Sequence, residues 1–545
     1  MYVYVTEHGD TLRNIANRYD YEVSNLLSLN PHIAGSDFRL SADIQVKLPS
    51  PLPQARKLGE DPVQCPPPPA IPPLFHWIPL TPVEIMAQTD YDVLIVGSGA
   101  GGAAVLWRLC QQWAQSGKRI GMVEAGDLLL PTHAFHIPTF NEPQALEYWR
   151  QVAVHKKEEW PDFQGAKIVY GLGGRTLIWY GWSPRFEPPA FRTWPITYKE
   201  LLPYYTIAEQ IMNVTTQYTQ GSSLQEILLH RLLAGGYPEA TSVPLSTDLQ
   251  QTQFGQVHSN VYFSSIDFLA YALNTRHFDL AVNTPAVQIL TEKGRAAGVK
   301  VVTADKRSYE ISAKTVVVCG STWETPRLLL NSGIPGEAIG KYLQFHPVYE
   351  GYGTVDRADF PEILGVAAIY VPDIDERNYQ LQIFSDYYYH FIEKPLRAKE
   401  RTEVHCYGVV EPRASNYVYL DPVRRDAYGV PLLNVEFSFS EKDMALLREM
   451  HAQALAFTAA AGMELDIPFV LRPPGTDNHE SGTCRMGDDP ATSATNRYGQ
   501  IHGVPGLFVA DNSVLNLTSP ANPTLTTIAL AIRTADYISV AEQSK

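Results

Sequence analysis

YDVLIVGSGAGGAAVLWRL, Tyr91 to Leu109, decides the fold. Val93 to Val96 is an apolar run closed by glycine, the pattern of a strand buried on both faces. Gly97, Gly99 and Gly102 then occupy the three glycine positions of G-x-G-x-x-G. The first permits a tight turn, the second lets backbone approach a pyrophosphate, and the third lets the following helix pack on the strand. That helix points its free N–H groups and dipole at the phosphates. The next strand, RIGMVEAG, ends in Glu124, 22 residues beyond Gly102. An acid at this distance accepts hydrogen bonds from ribose hydroxyls. Strand, glycine turn, helix, strand and acid together predict a dinucleotide-binding βαβ unit.

One such unit does not choose between nicotinamide and flavin. IHGVPGLFVADNSVL, Ile501 to Leu515, reads as a turn, a buried strand and then Asp511. An acid at that strand end can reach the ribityl or pyrophosphate side of a flavin. The two motifs stand at opposite ends of a long segment, whereas nicotinamide enzymes usually keep their cofactor in one continuous domain. FAD is the expected cofactor.

Four further blocks follow in order: GLGGRTLIWYGWSPRF (Gly171 to Phe186), VVVCGSTWETPRLLLNSGI (Val316 to Ile334), GKYLQFHP (Gly340 to Pro347), and HESGTCRMG (His479 to Gly487) with SPANPTLTT (Ser519 to Thr527). With the glycine motif they resemble the glucose–methanol–choline oxidoreductase family, most closely its pyranose 2-oxidase-like branch. The resemblance implies an α/β FAD-binding domain of Rossmann type beside a substrate domain built on an antiparallel sheet. It implies oxidation of an alcohol carbon of a sugar, glycoside or polyol to a carbonyl. By the same resemblance His479 is the catalytic base and Asn522 its partner. Gly174 and Thr176 belong to the flavin loop, Tyr180 lies near flavin N5, Val287 offers backbone to the adenine, and Pro523 and Thr524 form the flavin-side wall. Relatives that bind flavin covalently carry a histidine where this chain has Ile178, so non-covalent FAD is expected. His346 is read as structural, and Cys484 as packing.

The chemistry gives His479 a reason. An alcohol yields hydride poorly until its proton is being removed. A neutral imidazole is the side chain whose pKa lies nearest working pH. The Asn522 amide can orient the substrate oxygen and stabilise its developing charge. A metal site is not expected, because no further ligand stands at usable sequence spacing from His479 and Cys484.

The chain has 545 residues and a formal charge of −15. Without a basic stripe, nucleic acid is not an expected partner. Five scattered cysteines form no C-x-x-C pair, which fits a reducing compartment. MYVYVTEHGD shows no charged-then-apolar leader and no long apolar run follows. These features predict a cytoplasmic protein with no membrane-spanning helix; cell-wall association through the N-terminal unit is the alternative.

Residues 1–50 read as a separate β-α-α-β unit. GDTL turns the chain, with Asp10 as a helix cap, and Leu12, Ile15 and Ala16 share a helical face. GDTL, the following I-A, N-P and the closing L-P resemble a LysM domain, which implies binding of N-acetylglucosamine-containing glycan; a scaffold module binding no sugar is the alternative. A proline-rich linker is expected over 51–88, with CPPPPAIPP extended and LFHWIPLTPVEIM packed on the next domain. The FAD-binding domain is expected over 89–345, a mainly substrate-binding domain over 346–470, and a catalytic block returning to the FAD domain over 471–545. Runs such as YQLQIFSDYYYHF and EVHCYGVVEP suggest the antiparallel sheet. Two other function classes compete: a glycan-binding or assembly protein with a structural flavin domain, and a non-redox flavin lyase or photodecarboxylase.

Overall fold

The computed structural model describes residues 2–19, 21–49, 77–136, 142–249, 261–359, 365–385 and 398–543. The chain forms two units, Met1–Phe75 and His76–Lys545. In the small unit, strand Tyr2–Val5 pairs antiparallel with Gln45–Leu48, and helices Leu12–Tyr19 and Val23–Leu29 pack on them. Leu12, Ile15, Ala16, Leu26 and Val46 form its core. Asn30 is fully buried: its amide donates to Leu26 O and Lys47 O and accepts from Lys47 N, each at 2.8 Å, tying the second helix to the second strand. Asp10 does not cap the first helix. Its carboxylate accepts from Glu7 N and Tyr4 Oη, and Thr11 Oγ1 takes the Asn14 N–H instead.

The large unit holds two principal sheets. In the first, five strands run parallel in the order Asp279–Ala281, Ile120–Val123, Tyr91–Val96, Ser308–Val318 and Leu507–Val509. The strands Arg295–Val302 and Ala286–Glu292 extend this sheet antiparallel from Ser308–Val318. A parallel sheet needs both faces covered. Helices Ala100–Gln112, Ser265–Thr275 and Thr524–Gln543 contribute to the same core as Val93 to Val96 and Val316 to Val318. Residues 77–88, expected in the linker, belong to this unit: Ile78, Val83 and Met86 enter the same core. The CPPPPAIPP stretch lies outside the described residues, as does most of the tyrosine run, Asp386 to Phe391.

The second sheet is antiparallel, in the order Glu464–Leu471, Val348–Asp356, Lys399–Gly408, Tyr379–Ser385, Ala368–Val371 and Thr241–Ser242. Strand alternation gives it two faces. Leu381, Ile383, Val404 and Cys406 pack in a core with helices Glu441–Ala460 and Ser223–Ala234. Their neighbours Gln382, Phe384, Glu403, His405 and Tyr407 line a cavity of about 920 Å³. The other wall of that cavity is the C-terminal edge of the parallel sheet, at Val96, Val123 and Val318, where open α/β sheets bind ligands. No helix among the described residues is long and apolar enough to cross a membrane.

Candidate active site

The glycine turn is built by close approach. Gly97 has φ +99°, and a Cβ there would meet Cys319 O at 2.4 Å. A Cβ on Gly102 would stand 2.0 Å from Gly97 O, so Gly102 seats the helix on the turn and lies off the cavity wall. Gly99 differs. It lines the cavity, and a Cβ there would meet nothing within 4 Å. Backbone at Gly99 is therefore open to a ligand, beside the start of helix Ala100–Gln112. This is a cradle suited to a pyrophosphate.

The glycines separate two effects. A Cβ on Gly101 would lie 1.7 Å from Ala510 O, in a contact between backbones. Gly101→Ala is expected to destabilise the protein by roughly 2–3 kcal/mol. Gly99→Ala should fold with an unchanged melting temperature and lose flavin affinity. Melting curves with and without added FAD test both; equal melting losses for the two variants would refute the cradle.

Glu124 and Asp511 face inward more than the sequence suggests. Glu124 Oε2 accepts from Ser98 N (3.1 Å) and Ser98 Oγ (2.7 Å), and Oε1 accepts from Gly126 N (2.9 Å). Ser98 Oγ in turn accepts from Gly173 N at 3.0 Å, joining the phosphate turn to the second glycine loop. Asp511 accepts from Ser321 N, Thr325 Oγ1, Ser513 N and Ser513 Oγ. Both acids border the cavity, yet they spend most of their acceptor capacity holding loops. Burial pushes both carboxyls above the usual range.

The remaining expected positions divide. Gly174, Thr176, Tyr180, Val287 and Thr524 line the cavity. Thr176 Oγ1 is committed to Gly173 O, Ser265 Oγ and Ser265 N. Val287 stands at a register shift that takes its backbone out of the ladder, with its carbonyl accepting from Asn331 Nδ2 at 2.7 Å. Tyr180 is 39% exposed and packs against Phe135. Pro523 is off the cavity wall; its carbonyl accepts from Thr527 N at 2.9 Å, starting the C-terminal helix. Cys484 is fully buried, and burial raises its thiol well above the usual value, so it is no nucleophile.

The strongest arrangement surrounds His479. Its Nδ1 lies 3.0 Å from His346 Nδ1, while His346 Nε2 lies 2.9 Å from Ser519 O. A carbonyl only accepts, so His346 carries its proton on Nε2. His346 Nδ1 must then accept from His479 Nδ1–H, which leaves the lone pair of His479 on Nε2, facing Asn522. Asp477 Oδ2, at 3.9 Å from His479 Nδ1, is too distant to compete for that proton. It accepts instead from the backbone N–H groups of His346 and His479, both at 3.0 Å, pinning the two rings together. The Asn522 amide is oriented from the other side. Gln380 Nε2 donates to Pro520 O (2.7 Å) and Asn522 Oδ1 (3.3 Å), and Gln382 Nε2 donates to Asn522 Oδ1 (3.1 Å). Asn522 Nδ2 therefore faces His479 Nε2, at 3.4 Å. An alcohol oxygen brought against this pair can donate to the imidazole and accept from the amide.

Burial holds His479 well below its ordinary pKa, with smaller contributions from His346 and Arg175. Burial also brings His346 down to about 3. Both rings are neutral at working pH. Arg175, from the second glycine loop, pairs with Glu480 (2.6 Å) and donates to Asn478 O (3.0 Å), fixing the segment that carries His479. No metal ligand is expected at usable sequence spacing from His479; in space, His346, Asp477 and His479 offer atoms within 4.8 Å of one another. The hydrogen bonds above account for that cluster. His346, Asp477, Gln380 and Gln382 are residues that sequence reasoning did not place in the site.

Residues 91–348 match the N-terminal and 412–531 the C-terminal model of GMC oxidoreductase, and residues 4–49 match the LysM domain. A C-glycoside 3-oxidase of Microbacterium trichothecenolyticum is 31% identical, over 82% of this chain and 96% of that protein. The chain belongs to the GMC oxidoreductase family. It is an FAD-dependent oxidoreductase acting on CH–OH donors. A 2-methyl-1,2-propanediol dehydrogenase of Mycolicibacterium austroafricanum is 27% identical, over 82% of this chain and 95% of that protein. Among solved structures, pyridoxine 4-oxidase from Mesorbium loti shares the fold, with a TM-score of 0.61 and 15% identity over 82% of this chain and 99% of that chain.

Proposed function

We propose that this GMC oxidoreductase oxidises one hydroxyl of a sugar, glycoside or polyol to a carbonyl, with His479 as general base and Asn522 as the group that holds the substrate oxygen. The orientation of His479 Nε2 toward Asn522 Nδ2 carries this reading, because it presents a lone pair and an N–H to the same point of the cavity. A similar C-glycoside 3-oxidase and a similar diol dehydrogenase support the substrate class. Bound FAD supplies the two-electron acceptor. Proton removal falls to His479 Nε2, and the resulting imidazolium keeps its Nδ1–H bond to His346. Gly99 and the helix start beside it would receive the pyrophosphate, with Val287, Tyr180 and Thr524 along the rest of the cofactor's length.

Non-covalent attachment is part of this reading, since Ile178, which lines the cavity, has no nucleophile. Among the described residues Cys110, Cys319, Cys406 and Cys484 are buried free thiols, which supports a reducing, cytoplasmic setting. The LysM match supports binding of an N-acetylglucosamine-containing glycan by residues 4–49. Retention of the full chain on chitin beads, lost on deleting residues 1–49, tests the last point.

The test of the activity is the visible spectrum of the purified protein under anaerobic conditions, titrated with sugars, glycosides and polyols. Bleaching of the flavin band by one class is the expected result, and admitting air then separates oxidase from dehydrogenase. Acid precipitation of the same preparation should leave the flavin in the supernatant. A bound flavin that no alcohol bleaches would overturn the redox reading.

A further inference from the structure

The cavity carries a second polar cluster, away from His479. Glu350 and His405 are directly opposed on neighbouring strands, and Glu403 lies two residues from His405 on the same face. All three line the cavity. His405 Nε2 is 3.9 Å from Glu350 Oε2 and 3.8 Å from Glu403 Oε1, and one atom of each residue lies within 4.8 Å of the other two. His405 is only 8% exposed, and its Nε2 has no hydrogen-bond partner. A buried ring nitrogen left unpaired beside two carboxylates calls for a ligand.

Two kinds of cation could sit among these three residues. A metal ion at about 2.1 Å from nitrogen and oxygen ligands holds them roughly 3.0–3.4 Å apart. A primary ammonium bonded to three acceptors at about 2.8 Å, along tetrahedral N–H directions, holds them roughly 4.6 Å apart. Separations of 3.8 Å and 3.9 Å fall between the two spacings, wider than a metal's ligand shell and open enough for small side-chain shifts to admit an ammonium. We propose that Glu350, Glu403 and His405 receive a primary ammonium group of the substrate, so that the alcohol oxidised is borne on an aminated sugar ring or aminated polyol. This rests on the alcohol-oxidation reading above and narrows its substrate class.

The surroundings suit a cation. Tyr407 Oη, 3.2 Å from His405 Nδ1, can accept the Nδ1 proton and leave Nε2 as an acceptor. Burial brings His405 down to about 4, so the ring is neutral and does not repel an ammonium. Tyr352 Oη donates to Glu403 Oε1 at 2.7 Å, and Arg472 Nε stands 3.5 Å from Glu350 Oε2; these contacts orient the carboxylates. Tyr407 also links the cluster to the base: its ring centroid is 5.5 Å from that of His405 and 5.6 Å from that of His479. The amine and the reacting hydroxyl would thus bind at separate points of one cavity that share Tyr407 as a neighbour.

The test is calorimetric binding of cyclohexylammonium, which has no alcohol to oxidise, to the FAD-loaded full chain in buffer containing EDTA. Wild type should bind one equivalent, and Glu350→Gln and Glu403→Gln should each weaken binding at least tenfold; cyclohexanol should show no such dependence. The ratio of kcat/KM for D-glucosamine over D-glucose should fall at least tenfold in the same variants. Equal cyclohexylammonium affinity in wild type and both variants would overturn the proposal. So would stoichiometric Mn²⁺ binding, without EDTA, that both variants abolish and cyclohexylammonium does not displace. If cyclohexylammonium binds as expected but no alcohol bleaches the flavin, the ammonium site stands and the oxidation reading fails.

Discussion

His479→Ala should retain FAD and slow anaerobic reduction of the flavin by roughly 10²–10⁴-fold, the usual worth of a positioned base. Retention is expected because the glycine cradle at Gly97 to Gly102 and the loops held by Glu124 and Asp511 do not depend on this ring. The loss is large because nothing nearby replaces the base. Asn522 offers an N–H to the same point, and His346 Nε2 is turned away toward Ser519 O. The pH dependence gives a second check. Only neutral His479 can take a proton, and its pKa in the folded protein is lowered from the ordinary 6.5. The neutral form is therefore lost only as pH falls through that depressed value. Wild-type kcat/KM should show no limb near 6.5; burial lifts the neighbouring Asp477 carboxyl to about 8, so a limb there belongs to Asp477 and not to the base. Unchanged reduction kinetics in stopped flow would remove His479 from the mechanism; a limb centred near 6.5 would show that the base is not held in this buried environment.

The parts of this site legible in the sequence are the local ones. The glycine turn is short-range: Gly97 needs positive φ and Gly102 must clear Gly97 O, both within six residues. The antiparallel sheet is visible through alternation, since Leu381, Ile383, Val404 and Cys406 fill the core while the residues between them face the cavity. The same alternation was a usable signal for chemistry. Q-L-Q at 380–382 puts two amides on one face, and E-V-H-C-Y at 403–407 puts a carboxylate, an imidazole and a phenol on one face. Other features needed the fold. Glu124 and Asp511 mark the right strand ends, but whether their oxygens face a ligand or their own loops depends on which N–H groups tertiary structure delivers. His346 lies 133 residues from His479 in the chain, and no spacing rule links them.

His346 therefore supplies the second large effect. If its Nδ1 fixes the tautomer of His479, His346→Ala should lower the rate of flavin reduction at saturating alcohol by roughly 10²–10³-fold, with KM changed little. Holding an imidazole in the reactive tautomer is worth up to about 10⁴ in a hydrolytic triad, where the wrong tautomer preserves geometry and loses rate. Here the alanine variant removes the acceptor for His479 Nδ1–H, and the nearest remaining acceptor, Asp477 Oδ2, stands 3.9 Å away. The ring is then free to carry its proton on Nε2, where it faces the substrate as a donor. His346→Asn separates this role from packing. Its Oδ1 can accept the same proton near the position of Nδ1, and its Nδ2 can turn toward Ser519 O. Asn should recover at least tenfold over Ala, while a hydrophobic residue of similar size, His346→Leu, should not. Equal rates in the Ala, Asn and Leu variants would mean that His346 only fills space; a His346→Ala rate within threefold of wild type would mean that another group sets the tautomer.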